Sequence, residues 1–475
     1  MAGWFRPQTS ATTEIQPALP MLRGAARDLV RNSPHASRAV RVLAAHIAGS
    51  GVRPRAVINA ADPAAGEALG RVVREQWERF VERCDPAGQT DWYGQQRLLA
   101  RAVVEGGEAI RIWTPLAENG RLFWRCQVVE GDVVDHHKFG VMPNGNRIVQ
   151  GVEFDRLGRR VAYHLLSEHP GERYAPTSLR YDLRRVPAEF VDHAYEILRP
   201  GQVRGVPWFA PAATVMRDVD DLAEAEVVRK KLEACLAIIV TNANDDAAAA
   251  DGPSLVAATD ASGAALRSAS GATIERMQPG MVVEARPGWD AKFTAPPASD
   301  GLVEHMRERL HAIAAGVGVT YMQMTGDTSQ ANYSSMREGR LEFHRLVDCW
   351  QADLMITQTG RPAWRRVMDA AILNGDLRQP VAPRATFIAP KRPWVDPQKD
   401  AKAAIDQMAA GIIDPHDVIE ETGHAPEDVI AGLTQWRDRI AAAGLQVTPN
   451  FGAGSGADTR PTGGPEPDNE GDSEE

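Results

Sequence analysis

Residues 151–166 read GVEFDRLGRRVAYHLL, two runs in which apolar or aromatic and polar residues alternate on either side of a short turn at Leu157-Gly158. Alternation with a period of two places one face of an extended chain inward and the other outward, so the stretch is a β-hairpin. The same period begins upstream at Glu108 and runs through AIRIWTP (109–115) and FWRCQVV (123–129), with turn signals at Asn119-Gly120 and Asn144-Gly145. An antiparallel sheet therefore occupies the middle of the first half of the chain.

Before Glu108 the period is helical. From Met21 to Ile47 apolar residues recur at three-to-four spacing (Leu22, Ala26, Leu29, Val30, then Val40, Leu43, Ala44, Ile47), punctuated by Ser33-Pro34 and ended by a turn over Gly49–Pro54. A second block, Ala64–Val81, sets Leu69, Val72, Val73, Trp77, Phe80 and Val81 against Arg71, Arg74, Glu75, Glu78 and Arg79. A third follows Asp91, an N-cap candidate, through Leu98, Leu99 and Val103 to Gly106-Gly107. The first 20 residues are polar and carry Pro7, Pro17 and Pro20, which reads as a flexible arm.

Beyond the sheet, Arg199-Pro200-Gly201 precedes a long helix from Ala212 to about Val240 with a charged band from Arg217 to Lys231. Residues 241–300 turn small and polar around a strand-like TIERMQPGMVVEARP (273–287), the composition of an inserted subdomain. Helix returns over Ser299–Ala315, with Ser299 and Asp300 as capping candidates. The polar loop TGDTSQANYSS (325–335) follows, capped at its end by Ser334 or Ser335. Two separate helices, Met336–Thr357 and Pro362–Leu373, come next, then helical segments to Gln446. The remainder is acidic, with Arg460 facing seven carboxylates, as expected of a disordered tail. The fold class is thus α+β.

Composition narrows the function. A chain of 475 residues exceeds one ordinary core. A net charge of −10 argues against a tight nucleic-acid binder, which needs Lys and Arg to neutralise phosphates, but permits a surface that DNA slides past. No run of about 18 uncharged apolar residues suggests a membrane span. Cys84, Cys126, Cys235 and Cys349 show no metal or redox spacing and read as buried thiols. A P-loop is missing, down to the Gly-Lys dipeptide, so any motor is another protein. Asp132, Asp135, His136 and His137 offer metal-ligand types, as a metal-dependent nuclease would need, yet in a strand the two imidazoles would point to opposite faces. Neither a catalytic site, a metal nor a cofactor is expected.

Five blocks carry a resemblance. They are LRGAARDLVRNSPHASRAVRVLAAHIAGSGVRPR (22–55), GVEFDRLGRRVAYHLL (151–166), ILRPGQVRGVPWFAPA (197–212), MTGDTSQANYSSMREGRLEFHR (324–345) and GIIDPHDVIEETGHAPEDV (411–429). In this order they resemble the lambda-type bacteriophage portal family, whose members are structural subunits and not enzymes. The resemblance implies a portal-type elongated subunit in a dodecameric ring at one capsid vertex. Its parts would be a wing (21–207), a first stem helix (208–240), a small α/β clip (241–298) and a second stem helix (299–320). A channel loop (321–335), a long wing helix with its follower (336–375) and a helical crown (376–446) would complete it.

The implied partners are further copies of the chain, the terminase large subunit, major capsid and scaffold proteins, head-tail connector proteins, and double-stranded DNA passing without sequence readout. Membrane is not among them. The implied location is the virion, after synthesis in the bacterial host cytoplasm. Channel contacts would fall to Thr325, Gly326, Asp327, Thr328, Ser329, Gln330, Asn332 and Tyr333, small polar groups suited to touching phosphates without reading bases. Arg229, Lys230, Lys231, Arg307 and Arg309 would face the channel or a neighbour; without the resemblance they are solvated helix faces. A head-tail adaptor without a pore is a further reading, disfavoured by the chain's size and its stem-like helix pair.

Overall fold

The computed structural model describes residues 8–58, 61–174, 176, 182–234, 238–242, 289–293, 301–329, 332–378, 382–392 and 396–445. The chain divides into two compact units, 1–387 and 388–475.

The first unit opens with α1 (Ala11–Asn32), α2 (Pro34–Ile47), β1 (Arg53–Val57), α3 (Pro63–Arg83) and α4 (Trp92–Gly106). The Ser33-Pro34 break is real, and Asp91 caps α4 by accepting the Gly94 N–H at 2.6 Å. Residues 1–7 of the flexible arm expected over 1–20 lie outside the described residues, and the rest of the expectation is corrected: α1 begins at Ala11 and runs through Pro17 and Pro20. Tertiary contacts outweigh the lost N–H bonds of the two prolines. Ala11 and Leu19 are buried, the Thr12 hydroxyl donates to the Gly201 carbonyl at 3.3 Å, and Arg199 pairs with Glu14 at 2.5 Å.

The sheet region matches its reading. β2 (Glu108–Glu118) lies between β3 (Arg121–Glu130) and β9 (Val191–Tyr195), antiparallel to both. A five-stranded antiparallel sheet runs in chain order through β4 (Gly140–Val141), β5 (Arg147–Val149), β6 (Val152–Phe154), β7 (Arg160–Leu166) and β8 (Leu183–Pro187). The β6–β7 hairpin is the one legible in residues 151–166, with Val152 opposite Tyr163.

After the sheets come α5 (Ala213–Ala234), then β10 (Ile238–Asn242) paired antiparallel with β11 (Trp289–Phe293). The helix expected to reach Val240 ends earlier, because Ile238–Asn242 is extended. The rest of the expected clip, 243–288 and 294–298, lies outside the described residues. α6 (Leu302–Val317) has Gly301 at its N-cap in the left-handed region, while Ser299 and Asp300 lie outside the described residues.

α7 (Tyr321–Thr325) leads to α8 (Tyr333–Trp350), a π-helical stretch Gln351–Gly360, and α9 (Arg361–Leu373). The two helices expected to be separate are therefore one rod. Gly360 and Arg361 keep right-handed helical dihedrals, so the rod continues through Pro362 although that residue can donate no backbone bond. The rod crosses two cores. Phe343, Val347, Trp350, Leu354 and Met355 join an aliphatic core with α1, α2, α4, α5 and α6. Ala363, Trp364, Val367 and Met368 join an aromatic core with Trp77, Phe80, Trp92 and Trp113. The π-helical turn shifts the helical register where one core gives way to the other.

β12 (Arg384–Ile388) pairs with β1, so the segment from 376 into this strand belongs to the first unit and not to a crown starting at 376. The second unit carries α10 (Pro397–Ala409), α11 (Pro415–Glu421) and α12 (Pro426–Ala442). Within these three helices Pro426 is the buried residue, while Ile405, Ile430 and Trp436, together with Ile412 in the connection between α10 and α11, are exposed. The acidic tail expected from 447 lies outside the described residues.

Candidate channel loop, stem pair and buried ionic centre

The loop begins where Gly318 ends α6 with a positive φ of 84°, a conformation that favours glycine. Thr320 and Gln323 then form a reciprocal capping box: the Gln323 N–H donates to Thr320 Oγ1 at 3.2 Å, and the Thr320 N–H to Gln323 Oε1 at 2.9 Å. Arg38 on α2 donates to the Gln323 carbonyl at 2.8 Å, tying the turn to the body, and Met324 is fully buried.

Most of the polar residues expected to face DNA are used locally. The Thr325 hydroxyl donates to the Tyr321 carbonyl at 2.9 Å and accepts the Asp327 N–H at 3.1 Å. Asp327 accepts the Ser329 N–H at 2.9 Å and the Tyr321 hydroxyl at 3.3 Å, and the bonds from Ser329 hold its carboxyl below the usual range, helped by the charge of Arg307. Asn332, not Ser334 or Ser335, caps α8 through the Ser335 N–H at 2.7 Å. Thr328, Ser329 and Gly326 are exposed. Gln330 and the Tyr333 side chain lie outside what is described.

α5 and α6 pack at their body ends, where Met216, Val219, Leu310, Ile313 and Val317 are buried. Farther out the cover ends: Val227, Val228 and Val303 are 51%, 48% and 65% exposed. Arg229 is held by Glu226 at 2.6 Å, Arg309 reaches His305 at 3.4 Å, Lys230 and Lys231 are exposed, and Arg307 is half-buried.

The nuclease-type cluster does not converge. Asp132 is bound by Arg27 at 2.6 Å with Arg23 at 3.6 Å, and Asp135 accepts the His137 N–H at 3.0 Å within a turn. His136 and His137 are in that turn and not in a strand, so their rings lie side by side at 3.8 Å instead of pointing apart. Glu130, Asp132 and His169 do approach one another, but Arg27 already brings a cation to both carboxylates, 3.2 Å from Glu130.

A polar centre that the sequence reading passed over lies beneath the sheets. Glu108, fully buried, accepts from Arg23 at 2.6 Å, from Arg204 Nε at 2.8 Å and from a second Arg204 nitrogen, from the Gly205 N–H at 2.7 Å, and from His193 at 3.0 Å. Arg204 also donates to the carbonyls of Gly131 at 2.7 Å and Gln150 at 3.0 Å. Burial acts against the charged Glu108, yet Arg204 and Arg23 overcome it and hold the carboxyl well below its normal range. Burial pushes His193 down to about 4, so the imidazole is neutral at pH 7 and donates to Glu108. Gly131 and Gly205 allow the approach: a Cβ would lie 2.4 Å from Glu108 Cγ in the first and 2.0 Å from the Gly107 carbonyl oxygen in the second. One signal was available. Arg23 shares the buried stripe of α1 with Leu19, Ala26 and Val30, and a charge on such a stripe requires a buried partner.

Several known proteins are similar to this chain. Residues 1–351 match the model of the phage portal protein, lambda family. A probable portal protein of Halomonas phage phiHAP-1 is 26% identical over 448 residues, covering 89% of this chain and 81% of the relative. Portal protein B of Escherichia phage lambda is 23% identical over 499 residues, covering 94% and 89%. Among solved structures, a chain from the virion of a native gene transfer agent particle overlaps 90% of this chain and 97% of its own length at 14% identity, with a TM-score of 0.44. An HK97-family phage portal protein from Corynebacterium diphtheriae overlaps 80% and 98%, also at 14% identity, with a TM-score of 0.35. With the family model covering most of its length and relatives aligned along nearly all of it, the chain belongs to the lambda family of phage portal proteins.

Proposed function

We propose that this chain is the portal subunit of a tailed phage or prophage: it closes into a ring at one capsid vertex, near twelve copies, and double-stranded DNA passes through its centre. It nucleates the procapsid with scaffold and major capsid proteins, docks the terminase large subunit during packaging, and holds head-tail connector proteins afterwards. The family match over residues 1–351 carries the reading. The stem pair agrees with it, because among the described residues Val227, Val228 and Val303 are exposed and a neighbouring subunit would bury them. Rings form from heterologous contacts in which one face of a subunit meets a different face of the next.

In this reading the loop meets DNA through Thr328 and Ser329, the exposed hydroxyls at its tip, while Thr325, Asp327 and Asn332 hold its shape. Small hydroxyls touch phosphates without stalling them, which a ring of cations would do. Electron microscopy of the purified chain with mass photometry tests the proposal. Rings with a central opening wide enough for a duplex support it. A species that stays monomeric at high concentration, even with scaffold protein added, overturns it.

A further inference from the structure

Two of the cysteines, 42 positions apart in the sequence, meet in the aromatic core. Cys84 ends α3 and Cys126 lies in β3; the Cys126 N–H donates to the Cys84 carbonyl at 2.8 Å. With standard bond lengths this bond keeps the two Cα atoms within about 6.7 Å of each other, inside the range of roughly 4.4–6.8 Å that disulfides span. The thiols are aimed by fixed acceptors: Cys84 Sγ lies 3.5 Å from the Val81 carbonyl, and Cys126 Sγ 3.3 Å from Gln95 Oε1. Both belong to one buried cluster. Burial raises Cys126 well above an ordinary thiol, and its hydrogen bond with Cys84 raises it further. Both residues are fully buried, whereas Cys349 is exposed.

We infer that Cys84 and Cys126 are a redox modification site, a buried thiol pair that closes to an intramolecular disulfide when the protein meets a small disulfide oxidant. The thiolate of one cysteine attacks the oxidant's S–S bond and releases one oxidant thiol. The second cysteine then displaces the mixed disulfide and releases the other. Two S–H bonds and one external S–S bond are exchanged for one internal S–S bond, and the oxidant leaves as two thiols. Because both sulfurs are buried and burial holds Cys126 as the thiol, closure proceeds through local opening and is slow in a reducing cytosol. The product staples the end of α3 to β3 and encloses α4 and β2 in one covalent loop. Release of a particle from a reducing cell to an oxidising medium would favour closure. That change of compartment rests on the portal reading; the chemistry of the pair does not.

The test incubates the full-length protein in oxidised and reduced glutathione, with and without enough urea to open it reversibly, blocks free thiols with N-ethylmaleimide, and maps the peptides by mass spectrometry. The expected result is a Cys84–Cys126 linked peptide as the dominant internal product in both arms, faster with urea. The oxidised protein should unfold at higher urea than the reduced one, a difference erased by dithiothreitol and absent in Cys84→Ala and Cys126→Ala, each compared with its own reduced form. Recovery of both cysteines as maleimide adducts in the urea arm, or their linkage mainly to Cys235 or Cys349, overturns the inference. The same linkage in a chain that forms no ring would leave the inference standing and the portal reading fallen.

Discussion

The buried centre around Glu108 and the loop from Thr320 to Asn332 are both dense in polar side chains, and they satisfy them by opposite means. In the centre the partners come from far along the chain: Arg23, His193 and Arg204 converge on one carboxylate, and none is exposed. In the loop nearly every bond spans two to four residues, as in Thr325 to Tyr321 or Asn332 to Ser335, and the tip is open to solvent. A buried charge network fails as a whole when one member is removed, because the remaining charges stay out of water. A chain of local caps fails one bond at a time. The centre is therefore where this fold is vulnerable, and the loop is where it tolerates change.

The sharpest way to break the comparison is Glu108→Ala, which leaves Arg23 and Arg204 buried without their carboxylate. A loss of about 3–5 kcal/mol is expected in urea denaturation, enough to leave much of the protein insoluble. The double variant Glu108→Leu with Arg204→Met should lose clearly less than the sum of its single substitutions, since both charges leave together. Equal additive losses would mean that the centre is not a coupled unit.

Acidification probes the same centre without mutation. The His193 pKa is lowered to about 4 in the fold from an unfolded value near 6.5, so between these pH values the unfolded chain binds the extra proton. Stability from this group is complete above pH 6.5 and falls toward pH 4, by up to roughly 3 kcal/mol. Glu108, whose pKa is depressed, adds its own loss once the pH falls below its unfolded value of 4.5. Urea midpoints measured from pH 7.5 to 4 should decline, and His193→Gln should flatten that slope.

Smaller effects are expected in the loop. Thr320→Ala and Asn332→Ala each remove a helix cap and should cost about 1 kcal/mol, read as shifts in urea midpoint. Thr328→Ala and Ser329→Ala should leave stability within about 0.5 kcal/mol, being exposed away from special backbone geometry. Their replacement by arginine separates function from folding: particles should assemble but hold less DNA by nuclease-protection assay, and full packaging would refute the channel role of the tip.

Much of the fold was legible because its signals are local. The alternation in residues 151–166 determined a hairpin, the stripe of Val72, Trp77 and Phe80 a helix, and Asp91 its neighbour's cap, since each depends on spacing within one or two turns. The order of the five blocks likewise led to the family that the model over residues 1–351 shows. The loop's composition was legible but its use was not, because whether Thr325 faces a duplex or its own backbone depends on a turn only Gly318, Thr320 and Gln323 together define.

Tertiary structure decided what sequence spacing could not. Pro17 and Pro20 argued for a loose arm, and packing of Ala11 and Leu19 with the Arg199–Glu14 pair made it helix. Met336–Thr357 and Pro362–Leu373 were expected as separate helices, and the packing of one rod against two cores kept it continuous through a π turn. The Glu108 centre and the Cys84–Cys126 pair exist only once strands and helices distant in sequence are brought together. Local propensity is worth tenths of a kcal/mol per residue, whereas burying one apolar side chain contributes about 2 kcal/mol and leaving one partner of a buried ion pair alone costs about 3–5 kcal/mol, so long-range contacts prevail wherever the two conflict.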